Sequence, residues 1–279
     1  MTDEMLTSKA RCLRVLHEGS AFTLANVWDA ASAAIVAGLG AAAIGTTSGG
    51  IAWSHGRPDG QRLTRDDMAL AVSRITAAVD VPVTADVEGG YGPATHEVAA
   101  TVRAILDAGA VGINLEDSQA PGGPLFPVDE QVRRIRAARD AAVGYGVPEL
   151  VINARTDVFL FGIGEAAGRL DEVQARTDAY AKAGANCLFV PGLLDLRALE
   201  SLAAASPLPI NAMAIPGGPT VTELSAAGVR RISVGTALAQ VAYGALHRAA
   251  NELLSSGTYD AFDGAPGFAD LNSMFIARD

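Results

Sequence analysis

Lysine is almost missing from this 279-residue chain, which carries it only at Lys9 and Lys182. Lys9 precedes the first strand-like run and Lys182 closes a helical one, on the face away from the strand ends, so Schiff-base chemistry is excluded. Cysteine is as scarce. Cys12 and Cys187 have no CxxC spacing and are too few for a disulfide framework, which fits a reducing, cytoplasmic setting. Of the four histidines, His17, His96 and His247 belong to helical or leading segments, and only His55 lies near a strand end. A net charge of −10 with no run of Lys or Arg argues against a nucleic-acid partner. No apolar run approaches the roughly 18 residues that cross a bilayer. The mixed charges over residues 1–14 are unlike a signal peptide, so no membrane partner is expected. Where a doubly wound nucleotide-binding sheet would carry GxGxxG, the chain reads Trp28-Asp29-Ala30-Ala31-Ser32.

What is present is apolar and periodic. With 49% hydrophobic residues the chain can bury a large core. Eight short apolar runs stand out: 22–27, 42–46, 81–85, 111–115, 150–153, 187–190, 208–212 and 231–234. They lack alternation, as parallel strands covered on both faces do. Helical periods fill 64–78, 95–108, 128–143, 170–183, 195–204, 220–227 and 235–254. Several stop at a glycine just before the next run, at Gly109, Gly146, Gly184 and Gly228. Repeated strand–helix units of this number predict an α/β fold closed as a (β/α)8 TIM barrel. We read 1–279 as one domain, with a helical lead-in over 1–20 and a C-terminal helix and tail over 235–279. The tail, with Tyr259, Phe262, Pro266, Phe268, Leu271, Met274 and Phe275, is too apolar to float free, and is expected to pack on a neighbouring subunit or on the barrel's outside.

Barrel enzymes build their sites at the C-terminal ends of the strands. The stretch Thr84-Ala85-Asp86-Val87-Glu88-Gly89-Gly90-Tyr91-Gly92 sets two carboxylates at i, i+2, a spacing that points both to one side of the pleat. The second strand ends in Thr47, Ser48, Gly49 and Gly50, read as a glycine-rich turn, followed by His55, Arg57 and Asp59. Asn114, Glu116 and Asp117 end the fourth strand, Asn153, Arg155 and Asp157 the fifth, and Asn211 the seventh. Clustered acids repel unless a cation or proton intervenes, and oxygen ligands without nearby His or Cys favour Mg2+ or Mn2+ over Zn2+. Arg155 suits a carboxylate or phosphoryl group, and the N–H groups of Ser48, Gly49 and Gly50 a second anionic oxygen. Loop 118–127 reads as a lid with glycine hinges. Trp53, His55, Phe159 and Asn211 are expected, with the lid, to choose the substrate.

These motifs have a familiar order. Ser48-Gly49-Gly50, Pro58-Asp59, Asp86 to Gly92, Leu115-Glu116-Asp117 and Asn153-Ala154-Arg155-Thr156-Asp157 together resemble the phosphoenolpyruvate mutase/isocitrate lyase superfamily, over nearly the whole chain from about Phe22. The resemblance implies a Mg2+-dependent barrel whose eighth helix swaps into a partner, giving a homotetramer of helix-swapped dimers. It makes Asp86 the direct metal ligand, with Asp59, Glu88 and Glu116 holding the metal's waters. Ser48, Gly49 and Gly50 would bind the carboxylate and enolate oxygen of a small 2-oxo acid, Arg155 would clamp its carboxylate side, and Asn211 would touch the substrate. Asp59, Glu88, Glu116 and Arg155 form the implied catalytic set.

The departures narrow the substrate. Lyases of isocitrate and methylisocitrate carry Lys-Lys-Cys-Gly-His or Lys-Arg-Cys-Gly-His in the lid, whereas Ser118 to Pro127 holds no titratable side chain. Phosphonomutases use a lid Lys and a His after the sixth strand, where Pro191 stands. The reading is therefore a Mg2+-dependent lyase that breaks a C–C bond beside an enolisable 2-oxo group, by oxaloacetate-type decarboxylation or retro-aldol cleavage. Such a bond breaks because a chelated 2-oxo acid is an electron sink that leaves an enolate. Two other readings stay open: a P–C mutase or hydrolase acting on phosphonopyruvate, and a non-catalytic 2-oxo acid binder.

Overall fold

The eight apolar runs form eight parallel strands that pair in sequence order, and the last returns to the first. They are β1 (Phe22–Val27), β2 (Ile44–Thr46), β3 (Val83–Asp86), β4 (Gly112–Glu116), β5 (Val151–Arg155), β6 (Cys187–Phe189), β7 (Ile210–Met213) and β8 (Arg231–Ser233). The structure is a computed structural model and describes residues 3–275. Its closed ring is the expected (β/α)8 barrel. Helices α1 (Asp3–Glu18), α2 (Ala30–Gly38), α3 (Ser48–Ser54), α4 (Arg65–Ala77), α5 (Thr95–Asp107) and α6 (Val128–Tyr145) belong to the first half. The second half holds α7 (Arg169–Lys182), α8 (Leu196–Ala205), α9 (Val221–Ala226), α10 (Ala237–Ser256) and α11 (Phe268–Met274).

Three strands begin two residues later than their apolar runs: β2, β3 and β7. The displaced residues are apolar and, except for Ala42, at least partly buried as the chain enters the barrel, so hydrophobicity alone does not separate them from strand. Pro82 and Pro209 also lack the N–H a central ladder needs. Their carbonyls still serve it, accepting from Ile44 N–H and Leu188 N–H, each at 3.0 Å. Helix α2 has no period to read, because Ala-rich residues cover all its faces. Its capping box is legible in structure: Ser32 N–H donates to Asp29 Oδ1 at 2.7 Å, and Ser32 Oγ accepts from Asp29 N–H at 3.1 Å.

Helix α1 plugs the bottom of the barrel. Leu6, Ala10 and Leu13 are buried, and a Cβ on Gly112 would collide with Leu13 and Thr84. Glycine at that strand start therefore admits the plug. His17 at the end of α1 stacks edge-on against Phe22, ring centroids 5.0 Å apart. The top is left to the loops. At the C-terminal end α11 touches α2, yet α10 buries only Ala239 and exposes Val241, Leu246 and Leu254.

Candidate active site

Segment 48–50, expected as a turn, is instead the first turn of α3, with Thr47 as its N-cap. Two glycines are poor helix formers, and here they answer crowding. A Cβ on Gly49 would strike Thr236 and Asp59, and one on Gly50 would strike Thr47 and Trp28. The Ser48 N–H donates to Asp86 Oδ2 at 3.1 Å. Asn114 Nδ2 donates to the other oxygen, Oδ1, at 2.9 Å, and Asn114 Oδ1 accepts from Asn153 Nδ2 at 3.0 Å. Asp86 is thus oriented by a chain of amides reaching across β3, β4 and β5.

The i, i+2 pleat argument fails at Glu88. The strand ends at Asp86, and Glu88 has φ 50°, a left-handed backbone uncommon for a non-glycine residue. Its carboxylate accepts from the Gln61 N–H and, at 3.3 Å, from the Tyr91 hydroxyl. The strained turn drops the carboxylate behind Asp86 and ties the β2 loop to the β3 loop.

A cavity of about 190 Å³ opens at the top of the barrel, and Ser48, Asp59, Asp86, Arg155 and Asn211 are among the residues that line it. Leu160, Phe189, Pro191 and Met213 form an apolar wall. Of the expected site residues, Gly49, Gly50, Glu88 and Glu116 do not face this space. Glu116 is pulled away by Arg155, whose Nη1 lies 2.9 Å from Glu116 Oε2 and whose Nε lies 2.6 Å from Asp157 Oδ1. Burial works against the Arg155 charge, but the two carboxylates more than offset it and hold its pKa above the ordinary value.

Asp117 lies outside the mouth. It is fully buried and accepts from Tyr180 Oη at 2.8 Å, Arg176 Nη1 at 3.1 Å and Asp157 N–H at 3.1 Å. Trp53 and His55 are also elsewhere. Trp53 packs edge-on against Tyr243, and His55 Nδ1 meets the Ile51 carbonyl at 2.9 Å, so neither lines the cavity; nor does Phe159. The lid holds itself by a Gln119 N–H to Pro124 carbonyl bond of 3.0 Å, and Pro121 rests where a side chain on Gly60 would stand.

Among the described residues no three His, Cys, Asp or Glu side chains converge as a ready metal cage. The donor set still fits a hard cation in the form the resemblance implies, with one direct carboxylate and others acting through water. The electrostatics fit as well. Burial pushes the Glu88 carboxyl up to about 7, with Asp86 and Asp59 adding to the rise. Asp59 is raised by burial and then by Asp86, although the residue as a whole keeps solvent contact. Burial also raises Glu116, against the pull of Arg155. These acids lack a positive partner large enough to ionise them all.

A carboxyl raised in the folded state stabilises the fold below its unfolded pKa and loses that contribution as pH climbs through the folded value. Glu88 alone is therefore expected to take roughly 3 kcal/mol from the metal-free protein as pH rises from about 4.5 to about 7.5, of which roughly 1 kcal/mol falls above pH 6.5. Below about 6.5 the buried His17 acts in the opposite sense, because burial lowers it to about 4 and folding disfavours its charged form. Thermal melting across this range, with and without Mg2+, checks the point. A melting temperature that stays flat above pH 6.5, or falls equally when Mg2+ is present, contradicts it.

One charged residue of the cavity has no counterpart among the sequence-derived candidates. Arg231 of β8 lines it from below, 3% exposed. A two-residue period on β8 would have placed it inward with Ser233, but Arg230-Arg231 reads locally as a charged surface pair.

The model of the family described as phosphoenolpyruvate phosphomutase matches residues 13–254. A Burkholderia cenocepacia J2315 structure described as that of a candidate lyase/mutase superposes with a TM-score of 0.91 at 38% identity, covering 99% of this chain and 98% of that one. Oxaloacetate acetylhydrolase, solved with its product oxalate, gives 0.85 at 27% identity, covering 96% and 94%. Oxaloacetate decarboxylase of Pseudomonas putida (strain GB-1) is 32% identical over 234 residues, 80% of this chain and 76% of its own length. Matched along most of its length and closed into the same barrel, the chain belongs to the phosphoenolpyruvate phosphomutase family and is an enzyme of the phosphoenolpyruvate mutase/isocitrate lyase superfamily of lyases.

Proposed function

We propose that the protein is a Mg2+-dependent lyase that cleaves the C–C bond next to the 2-oxo group of a small 2-oxo (di)carboxylic acid. The observation that carries this reading is the mixed lining of the cavity: Asp59, Asp86 and Arg155 come from the ends of β2, β3 and β5, whereas Leu160, Phe189, Pro191 and Met213 come from β5 to β7. The polar residues suit a cation and a carboxylate, and the apolar ones suit carbon. Asp86 would hold the ion directly, with Asp59, Glu88 and Glu116 reaching it through water. When bound, Mg2+ (or Mn2+) supplies the Lewis acidity that draws electrons toward a 2-oxo group.

The chain's own part is to bind and orient. Arg155, fixed by Glu116 and Asp157, presents its remaining N–H groups to a carboxylate. Ser48 sets the other edge of the substrate, and Asn211 lies deeper on β7. The lid contributes no acid or base, so proton return falls to water. Decarboxylation tolerates that. The Pro191 ring offers no donor to a travelling phosphoryl group, which weighs against P–C chemistry. The likeness to an oxaloacetate decarboxylase supports the same choice. Purified protein with Mg2+ and a panel of 2-oxo acids tests it: turnover of at least one, abolished by EDTA and restored by Mg2+, is expected. No EDTA-sensitive turnover of any would sink it.

The outward apolar face of α10, with Val241 at 66% and Leu254 at 85% exposed, is best covered by another copy of the chain, as in a homotetramer of helix-swapped dimers. Light scattering behind gel filtration should give about four chain masses; a monomer at micromolar concentration argues against it.

A further inference from the structure

Every strand of this barrel except β6 sends an Asn, Thr or Arg side chain into the cavity or the layer beneath it: Asn26, Thr46, Thr84, Asn114, Asn153, Asn211 and Arg231. Most (β/α)8 interiors are filled by branched apolar residues instead. Much of this polar layer is satisfied. Asn26 Oδ1, for example, accepts from the N–H groups of Val234 and Gly235, both at 3.0 Å, and ties β1 to β8.

Thr84 Oγ1 and Asn153 Oδ1 go without a partner among the described residues, and so, at greater cost, does the layer's one charged member, Arg231. Its Nε and Nη1 are buried with no hydrogen-bond partner among the described residues, and so is Nδ2 of Asn211. The two residues are register partners on β8 and β7, so the unmet donors stand side by side. Other buried arginines are met. Arg134 donates to the carbonyls of Gly89, Gly92 and Pro93, Arg176 pairs with Asp117 and Glu172, and Arg155 pairs with Glu116 and Asp157. Near Arg231, Cys187 cannot serve as a counter-ion, because burial pushes its thiol up to about 12. Asp86 favours the Arg231 charge from a distance but gives Nε and Nη1 no hydrogen bond, and such buried donors are costly to keep, so an acceptor arriving in the cavity would relieve them.

We propose that Arg231, with Asn211 beside it, recognises a second anionic group of the substrate at the floor of the cavity. The enzyme then selects 2-oxo acids carrying a distal carboxylate over those with only one. This rests on the 2-oxo acid reading above. The carboxylate next to the 2-oxo group stays with Arg155 and the cation site, while the distal one takes the unused donors of Arg231 in its fork geometry.

Arg231→Met and Arg231→Lys test the assignment. In calorimetry with Mg2+, wild-type protein should bind at least one four- to six-carbon 2-oxo dicarboxylate more tightly than pyruvate. Arg231→Met should weaken the dicarboxylate about 30–100-fold and pyruvate by no more than about twofold, with Arg231→Lys between. Ligand-free Arg231→Met should also melt at a higher temperature than wild type, because an unpaired buried charge is replaced by a thioether of similar length. Equal loss for both acids, or a lower melting temperature, would make Arg231 structural and overturn the proposal. If wild type binds no 2-oxo acid, the proposed function fails. The anion site is then judged by malonate without metal: a rise in wild-type melting temperature that Arg231→Met lacks upholds it, and equal responses reject it.

Discussion

Asp86→Ala is expected to weaken Mg2+ or Mn2+ binding, and any turnover that depends on it, by about 10³-fold or more. Loss of residues that merely orient metal ligands costs about 10–100-fold, and Asp86 is proposed as the ligand itself. Its surroundings support that rank. The carboxylate stands at the end of β3, facing the cavity, with the Ser48 N–H and the Asn114 amide fixing its two oxygens. Glu88, held behind it by Gln61 and Tyr91, should matter less: Glu88→Gln is expected to cost about 10–100-fold. The fold should tolerate Asp86→Ala, since one of several repelling carboxylates is removed. Mn2+ titration followed by paramagnetic resonance reads the affinity without needing the natural substrate. Retention of wild-type affinity within tenfold would dismiss Asp86 as the ligand. A second readout follows from the repulsion itself. With Asp86 gone, the Glu88 carboxyl should titrate nearer the ordinary range, which carbon NMR of labelled glutamate can follow.

Asp117→Ala should cost about 3–5 kcal/mol of stability, or roughly 10 °C in melting temperature for a chain of this size. The carboxylate is fully buried and accepts from Tyr180, Arg176 and the Asp157 backbone. Removing it strands the inner side of the Arg176 guanidinium, which keeps only Glu172, the Phe126 carbonyl and the Tyr180 hydroxyl. The damage should reach the site. Asp157 hangs on Asp117 and in turn holds Arg155, while Phe126 anchors the end of the lid through Arg176. Substrate affinity should therefore fall along with stability. Urea unfolding measures the first effect, and a midpoint change worth less than about 1 kcal/mol would refute the network's importance. A Tyr180→Phe variant, which removes one donor and leaves the ion pair, should lose only about 1 kcal/mol.

Several features of the barrel are legible before any coordinates. Its strands are covered on both faces, so they read as unbroken apolar runs, and the glycines at 109, 146, 184 and 228 take left-handed backbones between helix and strand. Helix α2 escapes because it is apolar all round, and the first turn of α3 escapes because two glycines mimic a loop. Asp59, Asp86, Arg155 and Asn211 meet around one cavity as their places in the chain require, since strand ends converge once the ring closes.

Depth is another matter. Glu88 and Asp86 look equivalent in the sequence, yet a left-handed φ at Glu88 drops one behind the other. Glu116 and Asp117 are neighbours, and strand alternation sends the first to Arg155 and the second into the Arg176 and Tyr180 network. Arg230 and Arg231 divide in the same way, the first half-buried and the second enclosed, with two of its nitrogens lacking a hydrogen bond among the described residues. The sequence by itself determined the strand count, the parallel arrangement and the residue types that reach the mouth, because these follow from local hydrophobicity and spacing. Only the tertiary structure decided which acid faces the cavity, which is locked in an ion pair, and which arginine waits for an anion. Those outcomes depend on partners about 20 to 60 residues away, brought into contact by closure of the ring.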